Sequence, residues 1–174
     1  MSQIEIKPVV NNRDLIRFIK VPWKIYQDDP NWVPPLIMDR KKLLNRKKNP
    51  FYQHAEMEML IAYRDGQPVG RIAAITNENH NKFQEDNNGF FGFYESINDP
   101  EVTAALLDQP RQWLISKGKD GMLGPINPST NDELGLLIEG FKTPPYIMMC
   151  NNPAYYQTLL ENYGLKKAKD LFAW

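Results

Sequence analysis

The chain has 174 residues, a length that suits one domain over 1–174 with a core of its own, and its 21 Lys plus Arg against 21 Asp plus Glu leave a formal net charge of zero. That balance gives no global field for a nucleic acid, so no nucleic-acid partner is expected. The single cysteine, Cys150, excludes an internal disulfide framework, no Cys/His cluster has zinc spacing, and no stretch reaches the ~18 apolar residues of a membrane span. The composition therefore predicts a cytoplasmic protein with no metal and no transmembrane segment, for which membrane contact is limited to peripheral attachment.

IEIKPVV (4–10) alternates and reads as a first strand, and residues 11–29 place Leu15, Ile16, Phe18 and Ile19 at helical spacing, with Pro22 expected to bend or interrupt the helix. Residues 29–52 open Pro-rich and continue as a short basic helix closed by Asn49-Pro50. Two apolar runs between Ala55 and Glu78, joined by Asp65-Gly66, predict a hairpin. GFFGFYES (89–96) is the next strand, and residues 100–117 are a helix that Pro110 should kink or split. DGMLGPINPS (120–129) predicts a short strand, and a helical turn is expected near 131–141. NPAYYQTLLENYG (152–164) predicts a helix stopped by Gly164, and LKKAKDLFAW (165–174) a last strand. The order β-α-α-β-β-β-α-β-α-β implies an α/β (α+β) fold, a mixed and largely antiparallel sheet with helices on both faces.

This element order, the run GPINPSTNDELGLLIEGFKTPPYIMMCNNPAYYQTLLENYGLKKAKDLFAW, and the segments DPNWVPPL, NPFY and GQPVGRIAA resemble the GNAT (Gcn5-related N-acetyltransferase) fold. More narrowly they resemble a bacterial branch of it whose members are often double-length, which implies that this chain corresponds to the N-terminal half. The resemblance implies an acyltransferase moving an acyl group from a thioester, acyl-CoA or acetyl-CoA as co-substrate or an acyl carrier protein, to a small-molecule amine acceptor. In such folds the pyrophosphate lies on backbone N–H groups of a glycine-bearing loop at a helix start. Here the corner after the fourth strand reads Glu95-Ser96-Ile97-Asn98-Asp99-Pro100. Asn98 or Asp99 is placed to cap that helix itself, and Glu101 adds charge that repels pyrophosphate by about 1 kcal/mol or more. The alternative is a non-catalytic GNAT-like module that binds a ligand or partner without the CoA loop.

By the same resemblance Glu95 stands where a general base is found; otherwise it is a strand-end carboxylate capping the next helix. The acid of many relatives is a tyrosine, but that position holds Leu160, and Tyr156 lies one turn earlier on the same face; its bland reading is a tyrosine packed on the sheet. Asn127 and Asn152 are placed along the cofactor. Ser129, Asp132 and Glu133 are placed on the acceptor, although Ser129 to Asp132 also looks like a helix start and Asn151-Asn152-Pro153 like a cap. His54 and His80 are expected at the surface, and Cys150 as a small buried hydrophobe. The stretch Arg40, Lys41, Lys42, Arg46, Lys47 and Lys48 is either a solvated face or a dock for a carrier protein, a CoA phosphate or an anionic lipid surface. Leu171, Phe172 and Trp174, on an expected last strand lacking the strand that usually follows it, point either to a homodimer or to marginal solubility relieved by a missing second half.

Overall fold

The computed structural model describes residues 3–172. Strand β1 (Ile4–Pro8) is followed by α1 (Asn12–Ile25), whose cap Asn11 accepts the Asp14 N–H at 2.9 Å. Helix α2 (Ile37–Leu43) and a 3-10 turn (Pro50–Gln53) lead to β2 (Ala55–Arg64) and β3 (Gln67–Asn77). Asp65 and Gly66 both adopt positive φ between those strands, 52° and 74°, the geometry that an Asp-Gly pair favours in a two-residue hairpin. Then come α3 (Glu78–Gln84), β4 (Asn88–Ser96), α4 (Pro100–Ser116), β5 (Gly121–Leu123), β6 (Ile126–Asn127), β7 (Glu133–Leu134) and α5 (Tyr155–Tyr163).

The sheet runs β1-β2-β3-β4-β5, antiparallel throughout except for the parallel pair β4/β5. The fold is thus mixed α/β with a mostly antiparallel five-stranded sheet. That parallel pairing covers only Asn88 to Phe90 against Gly121 to Leu123; the chain then turns through the cis Gly124–Pro125 bond and the strands part. A separate β6/β7 ribbon stands at the opening.

Period-two patterning sends the two sides of the sheet into two cores. Met57, Met59 and Ile61 of β2 pack with Phe18 and Ile19 of α1, while Leu60 and Ala62 pack with Leu106 and Leu107 of α4. In β4 the alternation is broken. Phe90 and Phe93 share the α1 side, Phe91 and Tyr94 share the α4 side, and the register slips between the Arg71/Glu95 and Ala73/Gly92 pairs. Phe93 sits at φ 52°, a strained conformation for a bulky residue and the mark of a β-bulge. The bulge sets Glu95 directly across from Arg71. Gly92 is required here because a Cβ would lie 1.8 Å from the Ile126 carbonyl oxygen.

Several expectations are corrected. Of the alternatives at the two prolines, interruption and splitting are excluded: α1 is continuous through Pro22 and α4 through a buried Pro110, since each proline removes one hydrogen bond from a helix whose other residues are held by tertiary packing. The 120–129 strand divides into β5 and β6. The expected helical turn is instead the β7 pairing, in which Asn127 faces Glu133. Helix α3 was unexpected, although its signals are present: Asn77 caps the His80 N–H at 3.1 Å, and Glu78 opens the first turn. Residues 165–172 form no strand, so the edge behind the homodimer expectation is missing there; Trp174 lies outside the described residues.

Candidate active site

The end of β4 holds a nearly dry polar cluster. Glu95 keeps 12% of its side chain exposed and meets Arg71 Nη2 at 3.4 Å. The Tyr156 hydroxyl donates to Glu95 Oε2 at 2.8 Å and accepts the Ser96 N–H at 2.9 Å, which uses its single proton and a lone pair. Tyr155 donates to the Ser96 carbonyl at 2.9 Å, and Tyr26 donates to the Asn151 carbonyl at 3.1 Å. Burial pushes the Glu95 carboxyl above its ordinary range; the charge of Arg71 and the Tyr156 hydroxyl pull it back. Burial, then the Glu95 charge, raises both Tyr26 and Tyr156 well above the usual phenol value. The cluster is thus a carboxylate of strengthened basicity with a hydroxyl donor in direct line.

Arg71 is the cation that makes a buried Glu95 tolerable. Its guanidinium lies over the rings of Phe18 and Phe93, 5.0 and 5.8 Å from the centroids, and Nη1 donates to the Phe18 carbonyl at 2.9 Å. Burial lowers its proton affinity, against the pull of Glu95. The Phe18 carbonyl is available because residue 22, its helical partner four positions on, is a proline without an N–H.

The start of α4 is occupied by the protein itself. Asp99 Oδ1 accepts the N–H groups of Glu101 at 2.8 Å and Val102 at 3.3 Å, while Oδ2 accepts from Arg64 Nη1 at 2.6 Å. Arg64 also reaches Glu101 at 3.4 Å. Arg64 holds the Asp99 carboxyl below its ordinary value. These residues do not fit a pyrophosphate: the donors that would hold it are taken, and two carboxylates stand where its charge would fall.

Of the residues singled out in the sequence, Glu95 and Tyr156 are brought together. Asn127 spans the opening beside β4, its Oδ1 accepting the Phe93 N–H at 2.5 Å and its Nδ2 donating to Glu133 Oε2 at 3.3 Å. Glu133 is itself paired with Arg40. Ser129 donates to Asp132 at 2.7 Å in a local turn. Asn152 does not cap α5, whose cap residue is Ala154 without a side-chain bond. It clamps Leu137 instead, accepting the N–H at 2.7 Å and donating to the carbonyl at 3.2 Å. His54 and His80 are half-buried against Phe51 and Phe90, and Cys150 is half-buried with its thiol pushed up by burial. Among the described residues no group of three or more His, Cys, Asp or Glu could hold a metal ion.

Arg71 and Tyr26 were missed. Arg71 had a readable signal, a lone charge inside the apolar run VGRIAAI, where an unpaired guanidinium would be costly. Tyr26 had none, because its approach to Glu95 is made by the packing of α1 on the sheet.

With this geometry in place, the fold is that of the GNAT acyltransferases. An aminoglycoside acetyltransferase from an uncultured soil metagenomic sample, in complex with sisomicin, superposes with TM-score 0.56 at 12% identity over 98% of this chain and 93% of that one. A predicted acetyltransferase with acetyl-CoA from Clostridium acetobutylicum gives 0.56 at 10% identity over 99% and 96%. A tandem GNAT protein from the clavulanic acid biosynthesis pathway gives 0.52 at 14% identity, over 67% of this chain and 34% of its own. In sequence the chain is similar to the bacterial ceramide synthase of Caulobacter vibrioides, 38% identical across 99% of this chain and 45% of that protein. It is 40% identical to protein YghO of Escherichia coli across 97% of this chain and 43% of that one. The chain therefore spans about half the length of the curated relatives it matches. No family model matches it.

Proposed function

We propose that this chain is a single-domain GNAT-type acyltransferase unit that moves an acyl group from a thioester to an amine. The observation that carries the reading is the buried Glu95 at the end of β4, with Tyr156 on one carboxylate oxygen and Arg71 on the other. In acyl transfer the amine nitrogen forms a bond to the acyl carbon, the carbon–sulfur bond breaks, and the amine loses a proton. Glu95 takes that proton, directly or through one water, and Arg71 stabilises its charged form beforehand. Glu95, once protonated, donates to the Tyr156 oxygen as the Tyr156 proton moves to the departing sulfur, so the proton taken from the amine leaves with the thiol and both residues end as they began. Ser129, Asp132 and Glu133 would border the acceptor, with Asn127 and Asn152 holding the loops around it.

One relative is named a ceramide synthase, and a ceramide contains a fatty acyl group in amide linkage to a long-chain amino alcohol. The acceptor class proposed is therefore an amphiphilic long-chain amine. The donor is acyl-CoA with its pyrophosphate held outside the α4 corner, or an acyl carrier protein, whose thioester arm has no pyrophosphate. The reaction takes place in the cytoplasm. The test is mass spectrometry of the amide formed from sphinganine and palmitoyl thioesters of CoA and of carrier protein. Amide from either donor supports the reading, and its absence with both removes it.

A second reading, a non-catalytic lobe that binds a ligand or partner, is favoured by the Asp99 carboxylate on the α4 N–H groups. Under it no amide forms, and calorimetry with acetyl-CoA gives a dissociation constant weaker than about 100 μM, above about −5.5 kcal/mol.

A further inference from the structure

Between Leu36 and Pro50 stand Arg40, Lys41, Lys42, Arg46, Lys47 and Lys48 against one carboxylate, Asp39. Arg40 and Arg46 are used inside the fold, on Glu133 and on the Met57 carbonyl at 2.6 Å. The lysines are exposed, and Lys42 meets Asp39 only at 3.5 Å with both side chains mostly in water. The apolar residues beside them are exposed as well: Val33 63%, Leu36 67% and Met38 63%, and α2 buries none of its residues. Met38, Lys41 and Lys42, at i, i+3 and i+4, share one helix face. With Leu43, Lys48 and Pro50 they line an open cleft of about 590 Å³, into which no carboxylate projects among the described residues.

We propose that this face docks on an anionic phospholipid bilayer, with α2 lying along the surface. Aliphatic side chains left in water next to lysines are what an interfacial segment presents to a membrane. The apolar groups enter the acyl boundary, while lysine stems lie along it and their ammonium groups reach the lipid phosphates. The chain has zero net charge, so this attraction is local to the patch and does not follow from the protein as a whole. A folded acidic protein would need a matching pocket for each of Leu36 and Met38; a bilayer accepts both without one. The inference stands apart from the acyl-transfer reading, and its failure leaves that reading intact.

The experiment is flotation of the full chain with vesicles of phosphatidylcholine alone or mixed with phosphatidylglycerol. Binding is expected only to the mixed vesicles, and salt of about 0.5 M should release most of it. The triple change Lys41→Glu, Lys42→Glu, Lys48→Glu should weaken binding at least about tenfold, whereas Lys166→Glu, Lys167→Glu, Lys169→Glu, an equal change of net charge after α5, should shift it less than about twofold. Met38→Asp should also weaken it at unchanged circular dichroism. No binding, equal binding to both vesicle types, or equal loss in the two triple variants would overturn the proposal. So would capture of an acyl carrier protein by the same lysines without vesicle binding.

Discussion

Arg71 Nη1 lies 2.9 Å from the carbonyl oxygen of Phe18, the oxygen that Pro22 leaves without a helical donor. One residue of α1 thereby creates the acceptor that fixes the cation facing Glu95. The proline that looked like a helix breaker acts as a supplier of a free carbonyl, and the helix survives because Arg71 replaces the missing donor.

Replacing Arg71 by Met should therefore destabilise the fold by about 3–5 kcal/mol, because it leaves the Glu95 carboxyl and the Phe18 carbonyl buried without their partner. Urea unfolding measures this. The double change Arg71→Met, Glu95→Gln should lose clearly less than the sum of the two single variants, since a neutral amide costs less to bury beside a missing cation; a double loss equal to that sum would show that the pair is uncoupled.

Tyr156→Phe removes the donor to Glu95 Oε2 and the acceptor for the Ser96 N–H. The expected cost is about 1–3 kcal/mol. The Glu95 carboxyl, observed by carbon NMR, should titrate still higher than in the unaltered chain, because the Tyr156 hydroxyl lowers it. A downward shift would contradict the geometry.

Asp99 and Glu95 make opposite contributions to stability as pH changes. Asp99 is held below its ordinary 3.8, so its stabilisation is present above that value and is lost as pH falls through the folded value. Glu95 is raised above 4.5, so its contribution is full below that value and is lost as pH rises through the folded one. Asp99→Asn keeps the helix cap and removes the charge. Its denaturation midpoint should fall short of the unaltered chain at neutral pH and converge with it in acid. A gap that stays constant with pH would count against the Arg64–Asp99 ion pair as the cause.

The sequence was readable where one local rule decides the outcome. Asp65-Gly66 made the hairpin, Asp99-Pro100 the start of α4, and Gly164, at φ 107°, the end of α5. It was misleading where tertiary packing overrides the local rule, so that α1 and α4 continue through Pro22 and Pro110, and in 165–172, where no strand forms. Of the candidate site, Glu95 and Tyr156 were singled out through the family resemblance, and the fold brings them into one hydrogen bond. The bulge at Phe93 that faces Glu95 toward Arg71 has no signature residue, since Gly92 serves the close approach of Ile126 and the positive φ falls on Phe93. Asn127, expected along the cofactor, holds β6 against β4.

The central claim is that Glu95 accepts the amine proton during acyl transfer. The rate of thiol release from a palmitoyl thioester in the presence of sphinganine tests it most directly, compared between the unaltered chain and Glu95→Gln. Glutamine keeps the shape and can accept from Arg71, with its amide nitrogen toward Tyr156, but cannot take a proton, so the rate measured where the variant is still folded should fall about 10²- to 10⁴-fold, while the thermal midpoint also falls because the buried Arg71 loses its counter-charge. A Glu95→Gln rate within about threefold of the unaltered chain, with the amide product still formed, would contradict the claim, because general-base contributions are far larger than that.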